Sequence, residues 1–458
     1  MKVNTDAKKI EELLTRGVEH IYPTREFLEK ELKSGRQLTL YTGYDPTAPT
    51  LHVGHGITML KLRQFQELGH KVIFLVGDFT GMIGDPTDKS SARQKLTREQ
   101  VIENCKNYKK QASSVLDFTG ANPVEVKFNS KWLAKMNFED VLELSSNFTV
   151  QQMLERDMFA RRFRGEIQCV FCDHKFVQPY STIANNSTTS EGTNFAEITK
   201  CPNCHKTVSE MLKQGGKNKL SQIFTLQKPI YLHEFLYPLM QGYDSVAMDV
   251  DGEVGGNDQT FNMLTGRDLM KVLKKKEKFV LTTKLLTDDS GKKMGKTEGN
   301  MIAFSDTPED MFGKVMRWSD GMIVSGFELC TTVAMAEVKK MEVEMKKGAN
   351  PRDLKMKLAF EITKTFLGQA AAKKGQDRFI TVIQEKEAPI NIPKLKPSSY
   401  DIVTVLVEGK LANSKAEARR AIEQGGVKVD DVRIGSFEAE VKKGSVVQKG
   451  KRFFVRIS

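Results

Sequence analysis

The chain has 458 residues, 28% charged and 39% hydrophobic, with six cysteines and a formal net charge of +12. At roughly 100–200 residues per domain, that length allows three or four domains, each with its own core. No run of 18 uncharged apolar residues occurs, so a membrane-spanning, fibrous or secreted protein is not expected.

The opening MKVNTDAKKIEELL predicts an amphipathic helix and lacks the apolar centre of a secretory signal. With few cysteines as well, the expected compartment is the cytoplasm, where thiols stay reduced. The basic balance favours a polyanionic partner. From residue 36 to about 300, short β-branched runs alternate with helical stretches. LTLYTGYD (38–45) and KVIFLVGD (71–78) are apolar runs ending in Gly or Asp, and ITMLKLRQFQELGH (57–70) between them has helical periodicity. Strand, helix and parallel strand predict an α/β fold, a parallel sheet with helices on its faces. Such sheets bind ligands beyond the carboxyl ends of their strands, after Tyr41–Asp45 and Val76–Asp85 here.

Beyond residue 300 the strand signals fade. SDTPEDMF offers Ser305 as a cap before Pro308, and ANPRDLKMKLAFEITKTF again runs from a proline into a helical pattern. Residues 301–385 are therefore expected to be a helical domain. Residues 386–399, rich in proline, should be a linker, and 400–458 a small α+β domain. Residues 391–458 hold 14 Lys/Arg against 8 Asp/Glu, half the excess charge of the chain. That concentration suits nucleic acid.

Two motifs carry chemistry. His52-Val53-Gly54-His55 follows a strand and a turn and opens a helix. A helix start presents free N–H groups and a positive dipole end to a phosphate, and Gly54 lets a ligand approach the backbone. About 240 residues later comes Lys292-Lys293-Met294-Gly295-Lys296-Thr297, in a Gly/Asp-rich stretch. Lysines on such a loop can close over a triphosphate and follow its charge to the leaving pyrophosphate.

Together these motifs resemble the two signatures of class I aminoacyl-tRNA synthetases. Tyr41-Thr42-Gly43-Tyr44-Asp45-Pro46-Thr47, the string from Tyr237 to Asp244, and Gly255-Gly256-Asn257-Asp258-Gln259 narrow the likeness. The set resembles the tyrosyl-tRNA synthetases, over nearly the whole chain except an insert at 165–227. The resemblance implies a Rossmann-like catalytic domain over 1–300, with the helical domain at the anticodon arm. It also implies ligation of tyrosine to tRNA at the expense of ATP, with Mg2+ accompanying the nucleotide, and a homodimer with tRNA lying across both subunits.

By the same resemblance, Tyr41 and Asp244 meet the phenol hydroxyl of tyrosine. Tyr237 and Gln241 hold its α-amino group with Asp85 nearby, and Gly43 and Gln259 complete that pocket. Thr47, His52, His55, Lys293, Lys296 and Thr297 serve the ATP phosphates and ribose. Asp45, Gly54, Gly256 and Asp258 surround the adenylate, and Lys89 and Arg93 stand at the pyrophosphate end. The residue chemistry agrees: a phenol hydroxyl both donates and accepts, so a carboxylate and a tyrosyl hydroxyl suit it.

Two alternatives remain at this point: a nucleotidyltransferase acting on a small metabolite, and a non-catalytic RNA-binding relative. The complete lysine motif and the basic tail count against the first, and the intact signatures against the second.

The C-terminal segment resembles the small RNA-binding fold shared with ribosomal protein S-four. Ser414 should cap a helix carrying Lys415, Arg419 and Arg420, with Lys415 and Arg419 one turn apart and able to span adjacent phosphates. The segment 266–278 adds a lysine cluster that would suit an acceptor stem or plain solvent. Cys169-x-x-Cys172 and Cys201-x-x-Cys204, separated by 28 residues, form two knuckles able to supply four thiolates to Zn2+. Two disulfides are the alternative use of these thiols, and His174 and His205 are alternative ligands. Cys105 and Cys330 are expected in the core.

Overall fold

The computed structural model describes residues 2–85, 96–154, 159, 166–172, 175–177, 200–207, 210–211, 224–225, 230–295, 300–381, 392–450 and 453–458. It divides into two compact units, 1–373 and 374–458. The strands, in chain order, are β1 (Val18–Tyr22), β2 (Thr39–Tyr44), β3 (Lys71–Val76), β4 (Glu125–Phe128), β5 (Glu166–Gln168), β6 (Lys175–Val177) and β7 (Phe224–Thr225). They continue with β8 (Gly252–Gly256), β9 (Phe279–Thr283), β10 (Lys394–Leu395), β11 (Val427–Val429), β12 (Val432–Arg433), β13 (Val446–Lys449) and β14 (Phe453–Ile457).

The main sheet has the order β1-β9-β8-β2-β3-β4. Its five strands from β9 to β4 are parallel, and β1 closes one edge antiparallel to β9. The order reverses between β2 and β8, so the crevice beyond their carboxyl ends is a topological switch point. β2 and β3 lie where the apolar runs predict them; β1 has no such signal, because VEHIY has an irregular burial pattern on an edge. β3 is buried at every position but its first, as a strand covered on both faces must be.

The predicted helix between β2 and β3 runs from Val53 to Glu67 with His52 at its N-cap. Its lysine at position 61 is buried and donates to the carbonyls of Leu13 at 2.7 Å and Arg16 at 2.8 Å. Desolvation, then Arg16, hold that ammonium down to about 7. Arg16 itself, 8% exposed, donates to the carbonyls of Phe327, Glu328, Thr331 and Val333. The Phe327, Glu328 and Thr331 carbonyls end the Met322–Cys330 helix and that of Val333 lies just beyond it, so one guanidinium answers orphaned acceptors of a helix terminus.

As far as residue 373, the helical segment packs within the first unit rather than apart from the sheet. The helices Pro308–Met316, Met322–Cys330, Met335–Lys346 and Pro351–Leu367 follow one another as the sequence pattern requires. The cap of the first is Thr307, not Ser305: the Thr307 hydroxyl accepts from the Asp310 N–H, while Ser305 bonds Thr50. Proline at the first helical position makes the residue just before it the cap. Cys330 is fully buried as expected, whereas Cys105 is half-buried at the end of the Arg98–Cys105 helix.

The second unit carries the sheet β10-β14-β13-β11-β12 and the helices Ile402–Glu408 and Lys415–Glu423, and it begins within the Gln369–Phe379 helix. Its core is its own, with Ile402, Leu406, Ala418, Ile422, Val447 and Val455 buried together. The expected linker ends early, because Lys394 and Leu395 pair in parallel with β14. Residues 382–391 lie outside the described residues.

Candidate active site

His52 and His55 stack with ring centroids 3.8 Å apart at the start of the Val53–Glu67 helix. The His52 backbone N–H donates to Nδ1 of His55 at 3.2 Å. An accepting Nδ1 leaves Nε2–H as the donor of a neutral imidazole. Desolvation, then His52 and Lys293, hold His55 well below its ordinary pKa, so it stays in that neutral form. Gly54 leaves room for this stack, since a Cβ would stand 2.9 Å from the His52 ring. The same position lies 3.8 Å from the carbonyl of Met294, so the lysine motif passes beside the helix start. Lys293 pairs with Asp258, which follows the carboxyl end of β8.

The Leu232–Met248 helix brings Tyr237, Gln241, Asp244 and Ser245 to one face by their spacing of three to four residues. Tyr237 donates its hydroxyl to Asp45 Oδ2 at 2.8 Å, and Thr80 donates to Asp45 Oδ1 at 2.7 Å. Gly77 makes room for that carboxylate, since its Cβ would fall 2.1 Å from Oδ1. Thr47 follows in a tight turn, its N–H on the Asp45 carbonyl at 2.8 Å. Gly43 is exposed at the end of β2.

Gln259 donates to Asp85 at 2.7 Å, and Asn262 donates to both Gln241 Oε1 and Gln259 Oε1, at 2.9 and 3.0 Å. A Cβ on Gly256 would meet the Asp258 carboxylate at 2.5 Å.

Asp244 is buried and accepts from the Trp132 indole N–H at 2.7 Å and the Asn129 amide at 3.3 Å. Desolvation raises its pKa, and these two N–H donors, one on each oxygen, oppose the rise and favour the ionised form. Tyr41 has no exposed surface, and its hydroxyl lies 3.0 Å from Ser245 Oγ and 3.4 Å from the Gln241 carbonyl. Desolvation, then the charges of Glu253 and Asp244, keep that phenol protonated.

Asn129, Trp132, Thr80, Ser245, Glu253, Asn262 and Lys278 carry no sequence signal that marks them as site residues. Lys278, the last of the lysine cluster at 266–278, is not on the surface with its neighbours; it is fully buried and ion-paired with Glu253. Lys271, Lys274 and Lys275 are exposed.

In the insert, Cys169, Cys172, Cys201 and Cys204 bring their sulfurs within 4.8 Å of one another. Cys169 and Cys204 stand 3.5 Å apart, Cys172 and Cys201 3.7 Å, and none is disulfide-bonded. Tetrahedral zinc with bonds of ~2.3 Å places its sulfurs a little under 4 Å apart, so the four thiols fit such an ion. Desolvation pushes the Cys169 thiol up to about 12, and a bound cation would reverse that. His205 is outside this group. Lys89, Arg93, His174, Lys296 and Thr297 lie outside the described residues. In the second unit Ser414 caps its helix as predicted, and Lys415, Arg419 and Arg420 are all exposed.

A parallel sheet with a histidine-bearing helix start and a lysine loop meeting at its switch point defines a class I tRNA synthetase. The model for "tRNA synthetases class I (W and Y)" matches residues 33–178 and 166–384, and that for the "Tyrosine--tRNA ligase SYY-like C-terminal domain" matches 383–457. The tyrosine–tRNA ligase of Haemophilus ducreyi is 38% identical over 99% of both chains, and that of Thermotoga maritima 38% identical over 97% of this chain and 96% of its own. The chain belongs to the tyrosine–tRNA ligase family. A truncated mitochondrial tyrosyl-tRNA synthetase from Aspergillus nidulans shares the fold, with a TM-score of 0.58 and 20% identity over 82% of this chain and 94% of its own.

Proposed function

We propose that this chain activates L-tyrosine with ATP to tyrosyl-AMP and pyrophosphate, then transfers the tyrosyl group to the 3′ end of tRNA(Tyr). The observation that carries the proposal is the joining, at one switch point, of a tyrosine-type pocket to a phosphate-type helix start. The ionised tyrosine carboxylate attacks the α-phosphate and pyrophosphate leaves, so no general base is needed. Catalysis then rests on positioning and on charge stabilisation.

An α-ammonium only donates, so its pocket must offer acceptors. Tyr237 gives its own proton to Asp45, which leaves its oxygen to accept. Gln241 gives Nε2 to Glu253 at 3.1 Å, which turns Oε1 to the same use, and Asp85 supplies a carboxylate. At the phosphate end, Thr47, His52 and neutral His55 act as contacts, joined by Lys293, Lys296 and Thr297 on the loop. Lys293 exchanges Asp258 for phosphate as ATP binds, which frees Asp258 for the ribose hydroxyls. Gly43, Gly54 and Gly256 give the adenylate room beside Asp45 and Gln259, and Lys89 and Arg93 take the pyrophosphate end. Mg2+ enters on the ATP phosphate oxygens.

Among the described residues no helix is long and apolar enough to cross a membrane, and the chain works in the cytoplasm. Phe138 and Leu142, 76% and 56% exposed, share a face of the Phe138–Ser145 helix, which packs against the Leu232–Met248 helix. Leu232, at the start of the latter, is 83% exposed. Uncovered apolar side chains of this size suit a second copy of the chain, as in a homodimer. Lys415, Arg419 and Arg420 serve tRNA phosphates.

Tyrosine-dependent exchange of pyrophosphate into ATP tests the activity. Exchange with tyrosine and none with other amino acids is expected; no exchange with tyrosine would overturn the proposal. The four cysteines hold a structural Zn2+. Purified protein should contain about one zinc per chain, lost on Cys201→Ser with Cys204→Ser. A metal-free, fully active wild type would remove the ion from the account.

A further inference from the structure

Behind the pocket lies a buried polar chain of which the adenylation chemistry draws only on Glu253, through its bond to Gln241. Lys278 has no exposed side-chain surface, and its Nζ donates to Ser245 Oγ at 2.8 Å and pairs with the Glu253 carboxylate. It also lies 5.8 Å from the centre of the Tyr41 ring. The sequence keeps space for this ammonium where two helices cross. A Cβ on Gly266 would stand 2.7 Å from Nζ and 2.9 Å from Ser245 Oγ, and one on Gly242 would stand 3.1 Å from the Gly266 nitrogen. Two charges so buried are costly to desolvate and are a weak source of stability, so their position calls for another role.

We propose that Lys278 and Glu253 are positioning residues that fix the hydrogen-bond polarity of both ends of the tyrosine pocket. An ammonium only donates, so Ser245 Oγ accepts from Lys278 and turns its one proton to the Tyr41 oxygen. Tyr41, whose hydroxyl otherwise donates only to the Gln241 carbonyl across a long 3.4 Å, is thereby left with its own proton to give to the substrate phenol oxygen. At the other end Glu253 Oε1 accepts from Gln241 Nε2 at 3.1 Å, which sets the amide with Oε1 as the acceptor for the α-ammonium. One ion pair thus orients a donor for the hydroxyl and an acceptor for the amine.

The inference rests on the tyrosine-activating reading, and tyrosine-dependent exchange by the wild type checks that reading separately. Three full-length variants test the chain of bonds: Ser245→Ala, Ser245→Thr, and the double change Lys278→Met with Glu253→Gln. The double change avoids leaving one buried charge without its partner. Steady-state exchange is measured with tyrosine and with phenylalanine, beside a thermal melt.

Ser245→Ala should raise KM for tyrosine about tenfold with kcat within about twofold. Its kcat/KM for phenylalanine should stay the same, because only the hydroxyl-bearing substrate feels the lost proton. Ser245→Thr, which keeps the hydroxyl, should restore the tyrosine KM. The double variant should raise KM for both amino acids, because the Gln241 amide has lost its charged acceptor. If Ser245→Ala changes neither the tyrosine KM nor the tyrosine-to-phenylalanine ratio, the ion pair is structural only. That variant alone decides the matter if the double variant does not fold.

Discussion

Asp244→Asn should lower kcat/KM for tyrosine about a hundredfold, chiefly through KM, and bring the rates for tyrosine and phenylalanine closer together. The carboxylate of Asp244 accepts from Trp132 on one oxygen and from Asn129 on the other. Asparagine keeps one acceptor and turns its amide nitrogen, a donor, toward one of those N–H groups. A hydrogen bond to a charged group contributes about 1.5–3 kcal/mol, and a buried donor left facing a donor costs on a similar scale. The phenol hydroxyl loses its charged acceptor in the same step. Phenylalanine has no hydroxyl to lose, so its rate should fall less. The change is nearly isosteric, and a thermal melt close to wild type would show that the fold is kept. Unchanged tyrosine KM and unchanged discrimination would remove Asp244 from the specificity site.

The sequence signals that place Asp244 are of a different kind from those that would place its partners. β2, β3 and the helix between them are legible because a buried parallel strand is a short continuous apolar run and an amphipathic helix has its own period. The helix start at His52 is legible because capping and phosphate-binding chemistry coincide there. By contrast, Asn129 and Trp132 follow β4, and nothing local in NSKWL distinguishes a pocket wall from an ordinary turn. Lys278 sits at the end of a run of lysines that reach solvent, and only the pairing of β8 with β9 brings it beside Glu253. Burial of that one lysine is a tertiary fact. The two-residue strand β10 lies between Pro393 and Pro397, where proline content argues for a linker; its partner β14 is about sixty residues away in the chain. Thr307 is legible as a cap, because the proline after it marks the first helical position, and Ser305 competes with it only on residue type.

Ending the chain before Ile392 should leave tyrosine-dependent exchange within about twofold of wild type while tRNA charging falls about a hundredfold at moderate salt. The first unit ends at residue 373, and the residues buried with Ile402 and Leu406 all belong to the second unit, so truncation removes a core that the second unit builds by itself. The charge goes with it: 14 Lys/Arg against 8 Asp/Glu in 391–458. Binding to a polyanion releases counterions, and each phosphate that is no longer neutralised makes the slope of log affinity on log salt shallower by about 0.7–0.9. Lys415, Arg419 and Arg420 stand exposed on one short helix, and Ser414 holds its first turn through the Glu417 N–H at 3.2 Å. If these three side chains neutralise phosphates, changing them to glutamine in the full chain should reproduce a slope about two units shallower with exchange unaffected. The adenylate step sees only tyrosine and ATP, so it should report no salt-dependent difference between the truncated and full-length chains. An equal loss of exchange and charging would mean instead that the C-terminal unit supports the catalytic fold.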